Sequence, residues 1–150
     1  MRQRVVHLPD EEATRALGEQ LGRQARAGDV IALLGPLGAG KTTLTHGLAA
    51  ALGVEGPVPS PTFVLVREYG ARLRLVHVDA YRLEGDQDAW AIGLDEHLPG
   101  DGLTVVEWAD RIADLLPAGA LTVRLEPEGP GRRATLSGPD LPRWMEEMEA

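Results

Sequence analysis

The chain has 150 residues, 43% of them hydrophobic, which suits one globular domain with a core large enough to fold unaided. Acidic residues outnumber basic ones 23 to 15, so a net charge of −8 repels nucleic acid, and a role near RNA calls for a partner that does the binding. There is no cysteine, which excludes disulfides and thiolate metal sites and leaves oxygen or histidine to hold any metal.

No apolar run approaches the span of a bilayer, and the opening MRQRVVHLPDEEATR lacks the apolar stretch of a signal peptide, so a cytoplasmic protein without membrane contact is expected. Residues 4–8 read as a short strand. Asp10 then supplies an N-cap, and Glu11 and Glu12 an acidic first turn, for a helix whose apolar positions Ala13, Leu17, Leu21 and Ala25 face the sheet until Gly28 ends it. DVIALLG is a continuous apolar run of the kind buried on both faces in a parallel sheet, and KTTLTHGLAAALG resumes helical periodicity up to Gly53.

A proline-rich loop, VEGPVPSP, separates this helix from TFVLVREY and RLRLVHVDAY, two strands joined as a hairpin at Gly70-Ala71. Asp86 caps a helix reaching His97, GLTVVEWA is another buried strand, and DRIADLLP a short helix. A second hairpin turns at Pro127 to Gly131. The tail LPRWMEEMEA forms a last helix, within a loosely held segment 139–150 whose Trp144, Met145 and Met148 either cover the core or face a partner. No linker divides the chain, so residues 1–150 read as a single domain.

Gly35-Pro36-Leu37-Gly38-Ala39-Gly40-Lys41-Thr42 satisfies GxxxxGK[ST], the P-loop pattern, between a buried strand and a helix. Glycines let backbone N–H groups turn toward phosphates, and the helix N-terminus adds its dipole to the same anion site. Lys41 is the only lysine of the chain, beside fourteen arginines. A compact ammonium fits a tight phosphate cradle where a planar guanidinium does not. Thr42 is placed to coordinate Mg²⁺, and Thr43 to donate to a phosphate oxygen. Guanine recognition through an Asn/Thr-Lys-x-Asp motif needs a second lysine, so ATP is the expected nucleotide.

Phosphoryl transfer also needs carboxylates at the carboxyl ends of neighbouring strands. Asp79 ends LRLVHV and Glu107 ends LTVV, although each could instead cap a helix or pair with Arg82 or Arg111. Thr62, in PSPTF, is placed as a switch-loop hydroxyl that senses the γ-phosphate. His7, His46, His77 and His97 show no paired zinc-like spacing and read as ordinary core or surface imidazoles.

GPLGAGKTTL, SPTF.LV.EY, HVDAYRL and VVEWADR, in this order and at these spacings, resemble the TsaE (YjeE) family over residues 30 to about 111. The resemblance implies a P-loop NTPase-like α/β fold, with central parallel strands, flanking helices and two antiparallel hairpins. It implies a Mg²⁺-dependent ATPase that supports turnover of a TsaB–TsaD complex making threonylcarbamoyladenosine, meeting tRNA only through that complex. By motif it assigns Gly35 to Thr43 to the phosphates, Thr42 and Glu107 to Mg²⁺, and a catalytic or metal-supporting role to Asp79. Thr62 falls in the switch-like loop, and Trp108 packs near the nucleotide. Pro36 stands where family members often carry Asp, Glu or Asn, and Ala80 where a larger apolar residue is common. Two other readings fit a P-loop: a small-molecule kinase, and an interaction module gated by nucleotide without significant turnover.

Overall fold

The structure is a computed structural model that describes residues 3–36, 40–53, 66–69, 75–79, 102–107 and 116–145, with the backbone alone at 66–69 and 79. Its described residues include seven strands, β1 (Gln3–Leu8), β2 (Val30–Leu34), β3 (Val66–Tyr69), β4 (Leu75–Asp79), β5 (Leu103–Glu107), β6 (Leu121–Glu128) and β7 (Gly131–Ser137). They form one sheet in the order β1-β7-β6-β2-β5-β4-β3. Strands β4, β5, β2 and β6 are parallel, so their carboxyl ends emerge along one edge. The antiparallel strands lie outside them, β3 beyond β4 and β7 with β1 beyond β6. This is the expected α/β architecture of a parallel centre extended by two hairpins.

Burial explains the sequence pattern of the centre. Ile31 and Leu33 of β2, Val105 of β5 and Leu75 of β4 enter one core cluster with Leu17 and Leu21 and with Leu44, Leu48 and Leu52 of two helices. These helices are α1 (Glu11–Gln24) and α2 (Lys41–Leu52). On the opposite pleat Val30, Ala32, Val76, Val78 and Val106 are buried too, so these strands cannot alternate apolar with polar residues. The hairpin strand β6 does alternate, burying Leu121, Val123 and Leu125.

Helix α1 starts where its capping signal places it, with the Ala13 N–H donating to Asp10 Oδ1 at 2.8 Å. It ends four residues before Gly28. The Asp29 carboxylate accepts the Arg26 N–H at 2.7 Å and turns the backbone out of the helix, and Gly28 supplies the positive φ of 92° in that turn. The turn then joins β5, with the Gly28 N–H on Gly102 O at 2.9 Å and the Thr104 N–H on Asp29 O at 3.0 Å. Helix α2 ends at Gly53 as expected. Strand β6 runs through Pro127, which sits opposite Arg132, so the second hairpin turns on Gly129 and Pro130 alone. The Gly70-Ala71 turn and the helices placed at 86–97 and 110–117 fall at residues outside those described, save for Leu116 and Pro117.

Helices α1 and α2 approach until backbone meets backbone. A Cβ at Gly18 would lie 2.1 Å from Leu44 O, and one at Gly47 would lie 2.1 Å from Arg15 O. Glycine here serves close approach and not flexibility.

The tail covers the core: Leu141, Trp144 and Met145 of α3 (Leu141–Trp144) and its cap are buried, while Met148 lies outside the described residues. Arg143 pins this segment. Its guanidinium donates to the Gln24 carbonyl and to Asp29 Oδ1, both at 2.8 Å, and stacks 4.4 Å from the Trp144 ring centroid. One of the carbonyls left open at the end of α1 is thereby satisfied.

Two expectations for stability follow from this packing. Gly47→Ala removes the helix penalty of glycine, about 1 kcal/mol, yet forces the helices apart, and a net loss of about 1–3 kcal/mol is expected in urea unfolding. Gly119→Ala, whose Cβ meets nothing within 4 Å, should stay within about 0.5 kcal/mol. Arg143→Ala removes charge-assisted bonds from a partly buried site, and about 1.5–3 kcal/mol of stability should go with it. Arg143→Lys, unable to fork between Gln24 and Asp29, should recover less than half of that in the same titration.

Candidate functional site

Strand β2 ends at Leu34 in the middle of the sheet, and α2 opens at Lys41. Gly40 is the N-cap of α2 and holds φ at 100°, a left-handed conformation that other residues rarely adopt. Its carbonyl accepts the Leu44 N–H at 2.9 Å, the first bond of the helix. No side chain caps this end, and its first turn carries no acidic residue. A helix supplies no acceptor of its own for its first N–H groups, and its dipole favours an anion there.

Lys41 is buried, and its Nζ donates to the Gly35 carbonyl at 2.7 Å. The one lysine thus spans the loop from the first helical position back to the residue after β2. Thr42 and Thr43 are half-buried. The Thr43 hydroxyl donates to Glu11 Oε1 of α1 at 3.4 Å, a partner the motif does not announce. Thr45 turns inward and donates to the Lys41 carbonyl at 2.9 Å. A Cβ on Gly40 would stand 3.4 Å from Thr14 Cγ2 and 3.9 Å from Arg132 Cγ, so α1 and β7 both reach the junction. Pro36 follows Gly35 at the mouth of the loop, and Leu37, Gly38 and Ala39 lie outside the described residues.

Both candidate carboxylates close their strands. Glu107 is the last residue of β5 and pairs in register with Leu33 of β2 on one side and with Asp79, the last residue of β4, on the other. The three strand ends therefore come together two residues short of Gly35. Glu107 is buried, with 5% of its side chain exposed, and its Oε2 lies 2.6 Å from Nε2 of His77, which is 1% exposed. The ring N–H donates and the carboxylate accepts. The Asp79 side chain, Thr62 and Trp108 lie outside the described residues.

The arrangement fits a nucleotide and a hard divalent cation. The uncapped helix start suits phosphate oxygens. Among the described residues no three His, Asp or Glu side chains cluster as a metal cage. Mg²⁺ does not require one, because it keeps waters and takes one or two protein oxygens plus phosphates. Sequence patterns pointed to Lys41 and to the strand-end acids, but not to His77, Glu11, Thr14 or Arg132. Each of these is brought in by a strand or helix distant in the chain, and the one available cue was a histidine two residues before Asp79 in an apolar run.

No helix among the described residues is long and apolar enough to cross a membrane. A family model described as threonylcarbamoyl adenosine biosynthesis protein TsaE matches residues 8–135. The chain is 47% identical over 125 residues to the tRNA threonylcarbamoyladenosine biosynthesis protein TsaE of Mycobacterium leprae, covering 77% of each chain. Its identity to the protein of the same name from Bacillus subtilis is 40% over 134 residues, covering 89% of this chain and 84% of the other. The crystal structure of YdiB from Bacillus subtilis superposes with a TM-score of 0.84 at 34% identity, covering 99% of this chain and 95% of that one. With the P-loop strand and helix, the strand-end acids and these matches along most of its length, the chain belongs to the TsaE family of tRNA threonylcarbamoyladenosine biosynthesis.

Proposed function

We propose that this chain is a Mg²⁺-dependent ATPase whose turnover supports a TsaB–TsaD pair in threonylcarbamoyladenosine synthesis. One observation carries the reading: a helix that opens on glycine, with no acid in its own first turn and a buried lysine at its first position, meets the central strand beside the strand that ends in Glu107. Backbone N–H groups of the first α2 turn receive phosphate oxygens. Lys41 Nζ exchanges the Gly35 carbonyl for the β- and γ-phosphates and holds them as a point charge. Thr42 Oγ1 and Glu107 hold the cation, and Asp79 supports it or the attacking water. The cation, when bound, neutralises charge that builds on the phosphate oxygens as the bond breaks.

Charge supports contact through a protein partner. A net charge of −8 opposes the approach of tRNA, so contact with the tRNA-modifying machinery is best made through protein.

The test is ATP hydrolysis by the purified protein, alone and with a TsaB–TsaD pair, with and without Mg²⁺. Turnover is expected to rise with the pair and to reach background in Lys41→Ala. Glu107→Gln should lose about 10²–10³-fold in rate while still binding ATP, the scale seen when one charge-stabilising group is removed. Hydrolysis unchanged in Lys41→Ala sinks the ATPase reading. ATP-dependent docking of the pair without turnover identifies a gated module, and a phosphorylated acceptor identifies a kinase.

A further inference from the structure

His77 occupies a position where an aliphatic residue would pack without cost. Leu75, Val76 and Val78 around it in β4 are all buried. An imidazole there gives up its hydration, and a buried polar group needs a compensating bond. The ring makes one such bond, from Nε2 to Glu107 Oε2 at 2.6 Å, while its Nδ1 is buried with no partner among the described residues. A bare nitrogen in that place costs less than an unmatched N–H, so the geometry selects the tautomer that carries its proton on Nε2. The whole polar capacity that the ring uses is spent on one carboxylate oxygen.

We infer that His77 is a positioning residue that fixes the Glu107 carboxylate for its cation, an inference that rests on the metal role proposed above for Glu107. With Oε2 held by the ring, Oε1 is the oxygen left for an ion or an attacking water. The bond crosses from β4 to β5, two parallel strands whose register places the carboxylate beside the end of β2. Hydrogen-bond partners behind a metal ligand set its orientation, and their loss typically costs about 10–100-fold in metal affinity. A pair that is merely structural has no such effect.

The experiment compares wild type, His77→Gln and His77→Asn by calorimetric ATP binding in chelator and across a Mg²⁺ titration. The Gln amide reaches the place of Nε2, and the Asn amide stops short at the place of Nδ1. His77→Asn is expected to raise the half-saturating Mg²⁺ concentration about 10–100-fold and His77→Gln less than about threefold, with ATP affinity in chelator equal in all three. In the wild type, the His77 Nε2 ¹⁵N resonance should move when Mg²⁺ joins bound ATP and stay in place with ATP alone, a readout that survives if His77→Asn does not fold. A Mg²⁺-dependent wild type with unshifted variants, or with an Nε2 resonance indifferent to Mg²⁺, overturns the role of His77 and leaves the ATPase reading standing. Wild-type ATP binding that ignores Mg²⁺ overturns the metal assignment of Glu107 and this inference with it.

Discussion

The amino end of α2 presents backbone N–H groups that no side chain caps, at the centre of the sheet edge where four parallel strands end. A helix supplies no acceptor of its own for these groups, and that requirement organises the residues around them. Gly40 turns the chain into the helix at φ 100°, Lys41 bridges the loop to the Gly35 carbonyl, and Glu107 stands on the adjacent strand. Glycine at this N-cap gives up only a few tenths of a kcal/mol, roughly, against a capping Ser or Asp, and leaves the helix start open to an outside acceptor.

Placement of α2 depends on packing more than on its own helix propensity. Gly18 and Gly47 let α1 and α2 meet backbone to backbone, and Leu44, Leu48 and Leu52 anchor α2 over Ile31 and Leu33. The same contact carries Thr14 and Glu11 of α1 to the loop and its helix. The tail closes the other end of α1, where Arg143 ties Gln24 and Asp29 to the segment that buries Trp144. The frame of the site is therefore built from both ends of the chain.

The His77–Glu107 pair stands apart from this apolar frame. Two polar side chains withdrawn from water gain little net stability over well-packed aliphatic residues of similar size. Their value lies in direction, because a short bond between neighbouring strands holds a carboxylate in one orientation. That orientation gives the end of β5 a defined oxygen to offer.

Local patterns in the chain mark several of the elements and the loop. Continuous apolar runs marked β2 and β5, Asp10 marked the start of α1, and the spacing of Gly35, Gly40, Lys41 and Thr42 marked the P-loop, because all of these depend on residues within one turn or strand of each other. The sequence also placed Asp79 and Glu107 at strand ends, since apolar runs stop where they do. Pairing between distant segments set the arrangement of these parts. Strand order put β1 at an edge beside β7, and parallel register brought Glu107 level with Leu33. The same register set His77 against a carboxylate 30 residues away. Such pairings depend on which backbones share hydrogen bonds, and that choice is made between distant segments and leaves no periodicity in either of them.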